Sequence, residues 1–175
     1  MAHAAAKVPA GRDMTEYSVG RSVASWISAI EILIHPEDDN IDYKKVYRHL
    51  DSVQWQDDDL KKNEYEAYPR KGAPQRSLPC WIYGELLRAR NDFMHGNEID
   101  TDRLKVESGR YLHHFAAPLY RMVLAGFLGL NWLEVLPEDA AAEAMGSYIA
   151  RKMQFLDAQD DFERALTRIH TPPKR

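Results

Sequence analysis

The run SLPCWIYGELLRARNDFMHGN, residues 77–97, decides the fold: its apolar residues return at helical intervals and both ends carry boundary signals. Ser77 stands where a helix takes its N-cap, and Pro79 falls in the first turn, where a missing N–H breaks no intrahelical bond. Gly96 closes the run, because a residue without a Cβ readily takes the left-handed conformation of a C-terminal cap. Ile82, Leu86, Ala89 and Phe93 share one narrow stripe, the core-facing side, while Tyr83, Leu87 and Met94 form a second stripe rotated by roughly 100°. Arg90 borders that second stripe on one side, Asn91 and His95 on the other. A helix apolar on two sides must bury both, either against two neighbours in its own bundle or against its own core and a second subunit.

Outward from this helix the same periodicity recurs and alternating strand patterns are scarce. The spacing of Val19, Val23, Trp26, Ile30 and Leu33 predicts a helix from about Thr15 to Ile34, stopped by His35-Pro36. Asn40 is placed to cap a second helix with Tyr43, Val46, Tyr47 and Leu50 on its inner face, and a short third segment around Asp57 to Tyr65 is anchored by Trp55. Tyr68 to Pro79, with three prolines, Gly72, Arg70, Lys71 and Arg76, reads as a basic loop. A long helical stretch is expected from about Asp102 to Leu130, bent or divided at Pro118, and a final one from beyond Pro137 to about Ile169, broken near Asp157 to Asp161. The expected class is all-α, a bundle of four to six helices with long core helices. It forms a single domain over 13–170, preceded at 1–12 by a disordered arm or expression remnant and followed at 171–175 by a frayed tail.

At 175 residues and 45% hydrophobic content the chain can bury a core of its own. A formal charge of −4 and a pI near 6.0 exclude a broad basic face that coats nucleic acid, and leave room for a local site. The single cysteine, Cys80, excludes an internal disulfide and reads as a buried small hydrophobe, which fits a cytoplasmic setting. The most apolar stretch, Leu119 to Leu136, is interrupted by Arg121, Asn131 and Glu134 and reads as a buried helix rather than a membrane span. No cofactor loop, metal-ligand spacing or Ser-His-Asp arrangement is visible, and His113-His114, adjacent on an expected helix, should point in different directions.

The chemistry therefore concentrates in Arg90-Asn91-Asp92-Phe93-Met94-His95-Gly96. An arginine holds a phosphate, and a histidine moves a proton near neutral pH; a helix C-terminus, with its partial negative charge, favours the imidazolium. The two are offset by roughly 140° around the axis and about one and a half turns along it, so they flank a surface rather than pair. Taken singly, Arg90 reads as an arginine paired with a carboxylate and His95 as a residue bonding free carbonyls at a helix end.

The run resembles the Arg-Asn-x-x-x-His-Gly signature of the HEPN superfamily, particularly its Apea-like branch, in which an Arg-x4-6-His motif sits on a helix of an all-α bundle. Similarities extend from Ser25-Trp26-Ile27-Ser28-Ala29-Ile30-Glu31 to Leu119-Tyr120-Arg121. The resemblance implies a HEPN-like fold, Arg90 and His95 as catalytic residues, and RNA as substrate. It also implies a homodimer that brings two motif helices into one cleft, and metal-independent cleavage to a 2′,3′-cyclic phosphate and a 5′-hydroxyl. Asn91, Asp92 and Glu31 are the supporting candidates, although a buried Glu31 paired with an arginine is an equally good account of that residue. Arg70, Lys71, Arg76 and Arg88 are the RNA-binding candidates. Within the family a toxin-like or phage-defence role follows, with an antitoxin or larger protein as further partner; the alternative is a noncatalytic HEPN module for RNA binding or protein assembly. Nucleotidyltransferase-partnered HEPN toxins carry a tyrosine two residues beyond the histidine. This chain has Asn97 there, so regulation through that tyrosine is not expected.

Overall fold

The structure, a computed structural model, describes residues 1–6, 15–35, 42–69, 74–97, 102, 104–130 and 142–170, the side chains of 151–154 and 156 excepted. It is all-helical, and the described residues contain no strand beyond two isolated bridges, Tyr65 with Arg76 and Lys105 with Tyr111. The elements are α1 (Ala2–Ala6), α2 (Glu16–Ile34), α3 (Tyr43–Ser52), α4 (Asp58–Lys61), α5 (Leu78–Met94), a 3-10 turn (Leu112–Phe115), α6 (Ala116–Phe127) and α7 (Ala142–Thr167).

Helix α2 is the hub, packing on α1, α3, α5 and α6. Thr15 starts it as expected: its hydroxyl accepts the Ser18 N–H at 3.2 Å. Val23, Ile27 and Ile30 then lie buried against Ile82 and Leu86 of α5 and Leu119 and Met122 of α6 in one core. Helix α5 approaches α3 closely at Gly84, where an added Cβ would stand 2.6 Å from the Tyr47 hydroxyl and 2.9 Å from the Tyr68 amide nitrogen. That hydroxyl donates to the Tyr68 carbonyl. The cysteine is buried as expected, and burial pushes its thiol up to about 12.

Several expectations are corrected. The N-terminal arm is helical over α1, with Ala5 buried in the core. Asp42, not Asn40, caps α3, its carboxylate taking the Lys44 N–H at 2.9 Å; Asn40 lies outside the described residues. The third segment shrinks to the single turn of α4, because Tyr65 leaves the helix to pair its backbone with Arg76. Ser77 occupies the N-cap position of α5 without capping it.

The expected helix from Asp102 onward is a turn, a 3-10 segment and then α6. Val106 N–H reaches Arg110 C=O at 2.9 Å around Gly109, whose φ of 76° is a glycine conformation, and the chain reverses there. Pro118 neither bends nor divides α6; it sits in the first turn, where it sacrifices no bond. His113 and His114 do not diverge: on the 3-10 turn their ring centroids are 4.3 Å apart.

Helix α7 runs unbroken through Asp157 to Asp161, since these carboxylates face outward while Gln159 and Glu163 turn inward. Glu163 accepts the backbone N–H groups of Gln56, at 2.9 Å and 3.0 Å, and Asp57, at 2.7 Å, and so ties α7 to the entrance of α4. Among the described residues no helix is long and apolar enough to cross a membrane.

Candidate functional site

The end of α5 is built by three backbone bonds. His95 N–H reaches Asn91 C=O at 3.0 Å, Gly96 N–H reaches Phe93 C=O at 3.1 Å, and Asn97 N–H reaches Asp92 C=O at 2.9 Å. With Gly96 at φ 71° this is a Schellman cap, the one the glycine announced. It makes His95 the C-cap residue and leaves its imidazole exposed, without a partner among the described residues.

Arg90, one and a half turns earlier, is fixed from two sides. Its Nη1 donates to Asn91 Oδ1 at 3.0 Å, and its Nη2 lies 3.6 Å from Glu31 Oε2 across the α2–α5 contact. The Arg90 side chain is 25% exposed and Glu31 only 3%, so the pair points a cation outward and keeps the carboxylate behind it. Burial pushes the Glu31 carboxyl above its ordinary range, and the Arg90 charge pulls partway back. Glu31 Oε2 accepts no hydrogen bond, and neither does the nearby Tyr83 hydroxyl have a partner. The phenol is itself pushed up by burial and then by the Glu31 charge. Arg90 is thus the neutralising charge for a buried acid, with most of its five N–H donors unspent.

Of the supporting candidates, Asn91 and Glu31 meet at Arg90, whereas the Asp92 side chain is half-exposed and joins nothing among the described residues. Asn91 orients the arginine rather than His95. The two described RNA-binding candidates, Arg76 and Arg88, do not contact Arg90 or His95. Arg76 sits before the other end of α5, roughly 25 Å away along the axis at 1.5 Å per residue. It donates to Asp51 at 3.0 Å and lies 4.6 Å above the Tyr47 ring. Arg88 stands 4.0 Å from Glu85 on its own helix, and Arg70 and Lys71 lie outside the described residues.

Of the two ways to bury the second apolar stripe, the chain's own bundle takes most of it. Tyr83 and Leu87 are buried within the chain, Tyr83 edge-on to the Tyr47 ring at 5.5 Å, and Met94 alone of the three is on the surface, 62% exposed. A rim missed in the sequence lies at the same end of the helix. Tyr17, 66% exposed in the first turn of α2, sets its ring 5.6 Å from Phe93. Its place off the inner stripe of α2 was the one available signal. Among the described residues no three His, Cys, Asp or Glu side chains cluster as metal ligands would.

Chemically, this end of α5 offers an anchored guanidinium for an anion and an exposed imidazole for a proton, with an apolar rim of Tyr17, Phe93 and Met94 beside them. No family model matches this chain, and no curated protein or solved structure matches it either.

Proposed function

We propose that the chain is a metal-independent endoribonuclease of HEPN type that works as a homodimer, with two copies of Arg90 and His95 in one composite cleft. The observation that carries this reading is the arginine held by Asn91 and Glu31 at the partly exposed end of the helix that presents His95. One His95 takes the proton of an RNA 2′-hydroxyl as its oxygen bonds to phosphorus. The P–O5′ bond breaks, and the other His95 gives the leaving oxygen its proton, so that a 2′,3′-cyclic phosphate and a 5′-hydroxyl result. A single imidazole cannot serve both oxygens at once, which is why the reading calls for two copies. Arg90 supplies fixed donors to the phosphoryl oxygens as their charge grows. Burial of Tyr83 and Leu87 confines the proposed contact to the end of α5, where Met94 and Tyr17 stand exposed around the site. Cytoplasmic action on cellular or invading RNA, as a toxin or in phage defence, with an antitoxin or larger protein as regulator, belongs to the same proposal.

The test is cleavage of unstructured RNA in the presence of chelator by the native chain and by Arg90→Ala and His95→Ala, with solution mass measured in parallel. The native chain is expected to be dimeric and to release cyclic-phosphate ends, and each variant to lose about a hundredfold or more in rate. Absence of product from the native chain, or undiminished cutting by both variants, rejects the assignment. The exposed apolar rim of Tyr17 and Met94 favours a second reading, a noncatalytic HEPN module for RNA binding or protein assembly. RNA capture or partner capture without cyclic-phosphate product selects it.

A further inference from the structure

A second concentration of unsatisfied polar groups lies on the segment leading into α6. His113 is 8% exposed, and neither of its ring nitrogens has a hydrogen-bond partner. Three residues earlier, the buried Nε of Arg110 is likewise unpartnered, and no carboxylate among the described residues pairs with its guanidinium. Three buried nitrogens on a four-residue stretch therefore stand without hydrogen-bond partners, and each such orphan is destabilising by about 1–3 kcal/mol if nothing answers it.

The rings hold one another in place. His113 and His114 meet at 4.3 Å, and Tyr111 lies 5.8 Å from the first and 6.2 Å from the second. The carboxylates nearest the cluster are turned to other partners. Lys105 Nζ sits 5.7 Å from the Tyr111 ring and is already paired with Asp102 at 2.8 Å, while Glu107 turns to His170, 3.7 Å away. Burial and then the neighbouring Arg110 charge hold His114 below the ordinary histidine range, a conflict that an anion between them would relieve. The segment also feeds the N-terminal end of the twelve-residue α6, where helix polarity favours negative charge.

We propose that Arg110, His113 and His114 form an anion site that takes a phosphate group. Arg110 supplies the charged fork, the exposed His114 a donor from the solvent side, and His113 a donor from the buried side. The site stands on these residues alone and does not depend on the activity assigned to Arg90 and His95.

Titration of the full chain with inorganic phosphate, followed through the imidazole and Arg Nε–H NMR resonances, tests it against sodium chloride at matched ionic strength. Saturable shifts confined to Arg110, His113 and His114 are expected, and Arg110→Gln should raise the phosphate Kd at least about tenfold, the loss of one charge-assisted bond. Arg110→Lys, which keeps the charge and loses the fork, should fall between the two and serves if Arg110→Gln fails to fold. A short unphosphorylated single-stranded DNA, which has no 2′-hydroxyl to be cut, separates the sources: displacement of phosphate by it assigns the site to backbone phosphodiesters, and its failure to compete assigns the site to free or terminal phosphates. Shifts that match the chloride control, that stay linear with concentration, or that persist undiminished in both variants overturn the proposal.

Discussion

Glu31 is an acid with one answer. Its Oε2 lies 3.6 Å from Arg90 and takes no hydrogen bond, so the protein bears a desolvation penalty that the arginine only partly offsets. A folded-state carboxyl raised above its unfolded value binds an extra proton between the two, so the stability it contributes is lost as pH rises from about 4.5. Glu31→Gln removes that liability. Its melting temperature is expected to equal or exceed that of the native chain at pH 7, with the difference shrinking toward pH 4; a difference that grows on acidification would show that the pair is net stabilising. Cleavage by the same variant reads the other role. If Glu31 positions Arg90, the rate falls through kcat while RNA affinity changes little, and Glu31→Asp recovers part of it.

At the scale of elements, one glycine within α5 and one just beyond its end make opposite demands. Gly84 yields space: a Cβ there meets the Tyr47 hydroxyl at 2.6 Å and backbone at 2.9 Å, so Gly84→Ala is expected to destabilise by about 1–3 kcal/mol despite its better helix propensity. Gly96 yields conformation: nothing lies within 4 Å of a Cβ there, and Gly96→Ala should lose about 1–2 kcal/mol through its positive φ alone. Urea unfolding of both separates the causes, because Gly96→Asn, which tolerates that conformation, should recover much of the second loss while Gly84→Ser recovers none of the first. These helices were legible because α2 and α5 combine a clean apolar stripe with a terminal signal each, Thr15 and Gly96. The segment from Leu104 to Phe115 was not. Leu104 and Leu112 sit at a spacing that helix and turn share, and the bond that decides, Leu112 N–H to Leu104 C=O at 2.7 Å, leaves no trace in residue types. The Arg90–Asn91 contact lies within reach of local reasoning, whereas Tyr17 against Phe93 joins residues seventy-six positions apart and needed the α2–α5 packing to appear.

For the whole molecule, the acid limb of stability is set by the opposite kind of group. Burial, with the His114 charge adding to it, drives His113 down to about 4, against an ordinary 6.5. A depressed histidine stabilises the fold fully above its unfolded value and loses that contribution as pH falls from about 6.5 to about 4, a change of roughly 3 kcal/mol at 1.36 kcal/mol per unit. Glu31 acts in the other direction over neighbouring pH, so the native profile is a compromise between them. His113→Leu is expected to flatten the loss between pH 7 and pH 4.5 in denaturant titrations, and an unchanged slope would place the acid sensitivity elsewhere. The Glu163 clamp bears on a different time, that of synthesis. Its carboxylate receives backbone donors 106 and 107 positions upstream, and Ser108 N–H waits likewise for Ile169 C=O. A nascent chain cannot offer Gln56 and Asp57 this acceptor until Glu163 has left the ribosome. Closure of the 54–57 turn therefore waits on α7, and a chain stopped short of Gln159 should remain open to proteases there.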